Sequence, residues 1–156
     1  MQRLLPPVLI AAALLATPAL AADLTVQNAW SRPAQAGMNG VGFMTIVNGG
    51  KAPVKLMSIK TALAGKAELH QSSMANGVMT MRRMDKGVTI APGGKLELAS
   101  GGYHLMLLGL KQPLKAGQKA SVTLVFDKGR KIAVELAVQI APPQSSKASG
   151  GEHHHH

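Results

Sequence analysis

Two histidines and a run of methionines carry most of the chemistry available to this chain. One element is His104-Leu105-Met106. The other is His70-Gln71-Ser72-Ser73-Met74-Ala75-Asn76-Gly77-Val78-Met79-Thr80-Met81-Arg82-Arg83-Met84. Five of the nine methionines lie between positions 74 and 106, and the chain has no cysteine. Imidazoles and thioethers without thiols are a donor set for copper, above all Cu(I). Soft sulfur selects Cu(I), whereas zinc gains little from a neutral thioether. In an oxidising compartment cysteine ligands are liable to pair as disulfides. Methionine offers soft sulfur that forms none, although it oxidises to the sulfoxide.

These residues must be positioned by strands, because no helical 3.6-residue periodicity is sustained anywhere. Short strand-like runs recur at Leu24–Trp30, Val41–Val47, Val54–Thr61, Ala67–Gln71, Val78–Arg82, Val88–Ile90, Lys95–Leu98, His104–Leu108, Ala120–Phe126 and Arg130–Val138. Turn chemistry separates them, and Asn76-Gly77 and Lys128-Gly129 read as hairpin tips. Strands at roughly ten-residue spacing predict an all-β Greek-key sandwich or barrel. Alternate residues of a strand share a face, so His104 and Met106 point the same way, with Tyr103, Leu105 and Leu107 toward the core. Met106 also has a plain reading as a core gap-filler, but that reading leaves His104 on the same face unexplained. The Asn76-Gly77 turn folds Ala67–Gln71 against Val78–Arg82, which brings His70 near Met79 and Met81. Local geometry does not choose between those two methionines. Met74 and Met84, at the turn ends, are auxiliary donors or plain surface.

The ends of the chain bound its setting. Residues 1–22 read as a secretory signal: Arg3, an apolar run from Leu4 to Leu15, a Thr17-Pro18 break and a small-x-small cleavage site at Ala19-Leu20-Ala21. No other stretch approaches the ~18 apolar residues of a membrane span. With no cysteine there is no lipobox thiol to carry a lipid. The expected product is a soluble periplasmic domain over residues 23–141, followed by a disordered tail over residues 142–156. That tail ends in His153, His154, His155 and His156. The run reads either as a purification tag or as a native low-denticity site for Cu(II) or another divalent ion. The formal net charge is +10. Export argues against nucleic acid as a partner, and so does the scarcity of aromatic residues, limited to Trp30, Phe43, Tyr103 and Phe126. The charge then reads as a solvated lysine surface or as attraction to acidic partners or anionic lipid headgroups.

The spacing resembles a known family. His70, ten residues, Met81, then His104-x-Met106 is similar to the His-x10-Met-x21-His-x-Met motif of the periplasmic PCu(A)C-type copper chaperones. The flanks also match at Glu68-Leu69-His70, Gly77-Val78-Met79-Thr80-Met81-Arg82, Pro92-Gly93-Gly94 and Gly101-Gly102-Tyr103-His104-Leu105-Met106. Trp30-Ser31-Arg32-Pro33, Gly109-Leu110 and Pro113-Leu114-Lys115-Ala116-Gly117 extend the likeness, which covers roughly Asp23 to Val138. There is one departure: 22 residues, not 21, separate Met81 from His104. The extra residue is expected in the turn Arg83-Met84-Asp85-Lys86-Gly87. Inside a strand it would flip donors to the other face.

The resemblance implies a cupredoxin-like β-sandwich holding Cu(I) through His70, Met81, His104 and Met106. Met74, Met79 and the terminal histidines His153 to His156 are candidate auxiliary donors. It further implies delivery of copper to the Cu(A) subunit of cytochrome c oxidase, directly or through a thiol-bearing copper chaperone, without catalytic turnover. Two other readings compete with a carrier. One is a copper-dependent redox enzyme of the periplasm, for which a type 1 site would want a cysteine thiolate. The other is a metal-independent structural β-sandwich, which predicts that His70, Met81 and His104 lie far apart.

Overall fold

The computed structural model of the chain describes residues 23–144. The expected leader, residues 1–22, and the terminal His153 to His156 lie outside them. Ten strands follow one another: β1 (Leu24–Ser31), β2 (Gly40–Asn48), β3 (Val54–Lys60), β4 (Ala64–Ala75), β5 (Val78–Arg83), β6 (Val88–Ile90), β7 (Lys95–Leu98), β8 (Tyr103–Leu110), β9 (Lys119–Phe126) and β10 (Lys131–Val138). Each overlaps one of the strand-like runs of the sequence. Among the described residues the only helical element is a 3-10 turn, Asp127–Gly129, between β9 and β10. It makes that connection four residues, Asp127 to Arg130, rather than a tight Lys128-Gly129 tip, and Arg130 precedes the strand instead of starting it. Lys128 and Gly129 both adopt positive φ there.

Hydrogen bonding joins the strands in the order β5-β4-β8-β7-β2-β1-β10-β9-β3-β6, with β8 also pairing with β2. The β1–β10 and β7–β8 pairs are parallel and the rest antiparallel. One alternate set of side chains builds the core, in which Ile46, Leu105, Leu107, Leu124 and Leu136 have no solvent exposure. Burying each leucine removes apolar surface worth about 1.5–3 kcal/mol. Leu105 fits because its partner across the β2–β8 ladder is Gly42. A Cβ at that glycine would stand 2.9 Å from Leu105 Cδ2 and 3.1 Å from Leu136 Cδ1.

The longest strand differs most from expectation. β4 runs over 12 residues rather than the five of Ala67–Gln71. Its first part pairs with β8, from Ala64↔Leu110 to Gln71↔Tyr103, and its last part pairs with β5, from His70↔Arg83 to Ala75↔Val78. Backbone pairing on two sides in succession extends a strand past the point where apolar alternation stops. At the tip, Asn76 (φ 51°) and Gly77 (φ 75°) are both left-handed, as a type I′ hairpin turn requires. After β5 the chain turns through Met84–Gly87, closed by the Gly87 amide donating to the Met84 carbonyl at 3.0 Å. Gly87 has φ 73°, and a Cβ there would sit 2.3 Å from the Leu56 carbonyl oxygen, so only glycine fits. The segment expected to hold the extra residue of the Met81–His104 spacing is thus mostly loop, and the registers of β5 and β8 are set on either side of it.

Of the expected tail, Pro142, Pro143 and Gln144 are described. The two prolines line a cavity with Trp30 and Phe43, whose rings stack with centroids 4.9 Å apart.

Candidate metal centre

Register alone brings the histidines together. His70 of β4 lies directly opposite His104 of β8. Opposed residues of an antiparallel pair share a face. Their rings stand 5.9 Å apart between centroids, inclined at 53°. One rung along the same face, Met106 lies opposite Glu68. On the other flank of β4, Met81 lies opposite Ser72 and Met79 opposite Met74. His70, Met74, Met79, Met81, His104 and Met106 therefore occupy one face of the β5-β4-β8 unit, with Leu69, Leu105 and Leu107 buried on the other.

Their distances from the histidine pair differ. Met106 and Met81 are each a diagonal neighbour of His70, on opposite sides, at about 7–8 Å between backbone positions. Met79 is one rung farther toward the hairpin tip. The β4–β5 register thus separates two methionines that local sequence treats alike. Solvent exposure grades the set as well: His104 is 6% exposed, Met106 is half-buried, and Met81 is 54% exposed on the edge strand. Met84 is not plain surface, because it is partly buried and packs against the hydrophobic core.

The hydrogen bonds fix which nitrogen each imidazole presents. His104 Nδ1 lies 3.1 Å from the Gly102 carbonyl oxygen. A carbonyl only accepts, so Nδ1 donates and Nε2 keeps the lone pair. His70 is arranged the other way round. Its Nε2 donates to Glu68 Oε2 at 2.8 Å, while its Nδ1 is buried with no hydrogen-bond partner. A buried polar atom left unpaired costs about 1–3 kcal/mol, and a metal ion would satisfy this one. An imidazole whose second nitrogen donates to a carboxylate or a carbonyl has the usual arrangement of a metal-ligating histidine.

Glu68, the hydrogen-bond partner of His70, was left by sequence reasoning in the flank of the motif. Its signal was the Glu-x-His spacing, which puts both side chains on one strand face. The Glu68 carboxyl is held below the usual carboxylate range, first by the hydrogen bond from His70 and then by Arg83, with burial opposing. Arg83 bridges Glu68 at 3.2 Å and also pairs with Asp85. Among the described residues no three His, Cys, Asp or Glu side chains lie close enough to hold an ion. The soft side chains that share the face of these imidazoles are thioethers. Two imidazoles and neutral sulfur suit Cu(I) and are a poor set for zinc or calcium.

The family model described as "Putative lipoprotein LpqE-like" matches residues 24–138. The protein Lxx21020 of Leifsonia xyli subsp. xyli is 39% identical over 124 residues, spanning 79% of this chain and 74% of that one. The solution structure of Cu(I)-DR1885 from Deinococcus radiodurans is 32% identical with a TM-score of 0.55, covering 78% of this chain and 81% of that one. The apo PCuAC domain from PmoF1 is 28% identical with a TM-score of 0.63, covering 76% of this chain and 95% of that one. The all-β fold is the cupredoxin-like one expected, and the chain belongs to the LpqE-like family and is of the PCuAC type.

Proposed function

We propose that this protein is a copper carrier that holds Cu(I) between His70 Nδ1, His104 Nε2 and the thioethers of Met81 and Met106. The observation that carries this reading is the cross-strand His70–His104 pair, each ring presenting a bare nitrogen on the face that bears both methionines. All four donors are neutral, so the bound ion keeps its single positive charge and needs no buried counter-charge. Exposed Met81 is the donor a partner displaces first, with half-buried Met106 and buried His104 following. Such graded exposure suits stepwise transfer more than permanent retention. The Cu(I) form of the related DR1885 supports copper as the cargo.

The metal-independent reading expected His70, Met81 and His104 to lie far apart, whereas the histidines are opposed on adjacent strands and Met81 is a diagonal neighbour of His70. A redox enzyme built on a type 1 site finds no thiolate in a chain without cysteine. The proposed setting is the periplasm, reached through the leader at residues 1–22. Among the described residues no helix is long and apolar enough to cross a membrane. The proposed recipient is the Cu(A) subunit of cytochrome c oxidase or a thiol-bearing copper chaperone. The terminal His153 to His156 would add a low-denticity Cu(II) site.

X-ray absorption of the protein loaded with one equivalent of Cu(I) under reducing conditions tests the donor set. Both nitrogen and sulfur scatterers are expected in the first shell. A shell of nitrogen alone, or of sulfur alone, would reject the assignment.

Glu68 acts on His70 rather than on the ion, so its replacement has a graded outcome. Glu68→Leu is expected to weaken Cu(I) binding about 10–100-fold, the usual loss on removing such an outer partner. Glu68→Gln keeps an oxygen acceptor at the same reach and should lose much less. Competition with a chromogenic Cu(I) chelator measures both. In the metal-free protein, nitrogen NMR of His70 should report the Nε2–H tautomer for the parent and Glu68→Gln, and a mixture for Glu68→Leu. Equal affinity for all three proteins would remove Glu68 from the site.

A further inference from the structure

The β4–β5 hairpin carries more soft sulfur than the four-donor site uses. All six residues of β5 are solvent-exposed. Met74 is 68% exposed, Met79 58% and Met81 54%. Core filling, the ordinary use of methionine, therefore does not account for them. Register aligns the three on one face: Met74 is directly opposite Met79, and Met81 is the next residue on that face of β5. Directly opposed β-carbons stand about 5 Å apart, and same-face neighbours along a strand about 7 Å apart. Three rotatable bonds per methionine bring all three sulfurs within reach of one ion. The oxygen donor on that face is Ser72, opposite Met81, and a neutral hydroxyl is a poor ligand for Cu(I). Ser73 and Thr80 bond to each other at 3.0 Å on the opposite face. Arg83, on the methionine face of β5, is paired with Glu68 and Asp85.

We propose that Met74, Met79 and Met81 form a second, weaker Cu(I) site at the hairpin tip, through which the ion enters and leaves the histidine pair. This rests on the carrier reading and deepens it. Met81 belongs to both sites, so Cu(I) moves along β5 by exchange of one thioether for the next. The ion remains Cu(I) and no electron or proton is transferred. With sulfur donors only, the tip site exchanges its ion readily. A partner that offers thiolates strips it there before it reaches the buried imidazoles.

The test uses the full chain with carbon-13 labelled methionine methyls, titrated with Cu(I) under reducing conditions and in parallel with Ag(I) as a redox-inert probe. The methyls of Met81 and Met106 should shift with the first equivalent, and those of Met74 and Met79 with a second that binds at least ~10-fold more weakly, since it lacks imidazole. The double variant Met74→Leu/Met79→Leu conserves volume and leaves the fold intact. It should keep the first affinity within ~3-fold, the tolerance for sites that share few partners, and release Cu(I) to a thiol-bearing chelator more slowly. His104→Ala should lose the first event and keep the second, so failure of the histidine site and failure of the tip site are distinguishable. A second equivalent captured by His153 to His156 would leave the Met74 and Met79 methyls unmoved. Unmoved methyls through two equivalents, or unchanged release from the double variant, would overturn the tip site. Unmoved methyls with slower transfer to a protein recipient alone would overturn it in favour of a docking face.

Discussion

His104→Ala is expected to lose more Cu(I) affinity than any other single substitution in the protein. His104 is the most buried donor, at 6% exposure, and its Nδ1–H···O=C bond to Gly102 holds the ring in one orientation. Removing an outer partner of a ligand costs about 10–100-fold, and removing the ligand itself should exceed the upper end of that range. A ~100-fold loss corresponds to about 2.7 kcal/mol. Chelator competition under reducing conditions measures it directly. Alanine also leaves a gap in a packed site, so His104→Gln is the companion variant. The glutamine amide can still donate toward the Gly102 carbonyl while offering no imidazole. Both variants should bind far more weakly, with His104→Gln melting closer to the parent than His104→Ala. Tight one-to-one binding retained in both would reject the site.

Leu105→Ala should produce the largest loss of stability while sparing the site. Leu105 is fully buried and lies between His104 and Met106 in sequence, but on the opposite face of β8. Leu→Ala in a core costs about 2–5 kcal/mol, depending on how far the surroundings collapse into the void. Here the facing residue is Gly42, which has no side chain to move inward, so the upper half of that range is expected. For a domain near this size the melting temperature should fall by roughly 10–20 °C. Well below the transition, Cu(I) affinity should stay within about tenfold of the parent, because the ligand face is untouched. Circular dichroism melts and chelator competition on one sample separate the two effects. A drop of less than about 3 °C would mean that Leu105 does not anchor the core.

Much of this architecture is legible in the chain because strand periodicity is local. Alternation such as Ser121-Val122-Thr123-Leu124 or Lys131-Ile132-Ala133-Val134 marks both a strand and its buried side. Asn76-Gly77 supplies the left-handed pair that a tight hairpin needs. Polar stretches are less legible. Ser72 to Ala75 show no apolar alternation, yet they continue β4, because β5 pairs with their backbone. Met84 illustrates the same limit, since nothing local distinguishes a core-packed thioether from an exposed one.

The sequence by itself determined the donor chemistry: imidazole and thioether with no thiol, and His104 and Met106 on one face of one strand. It also determined the all-β class, because a two-residue period is written into the chain. Only the tertiary structure decided that β4 and β8 pair with His70 against His104, that Met81 stands one rung nearer than Met79, and that Glu68 bonds the far nitrogen of His70. Those facts depend on register between strands distant in sequence. Register is fixed by the shared core on the opposite face, where Leu69, Leu105 and Leu107 must all be buried at once.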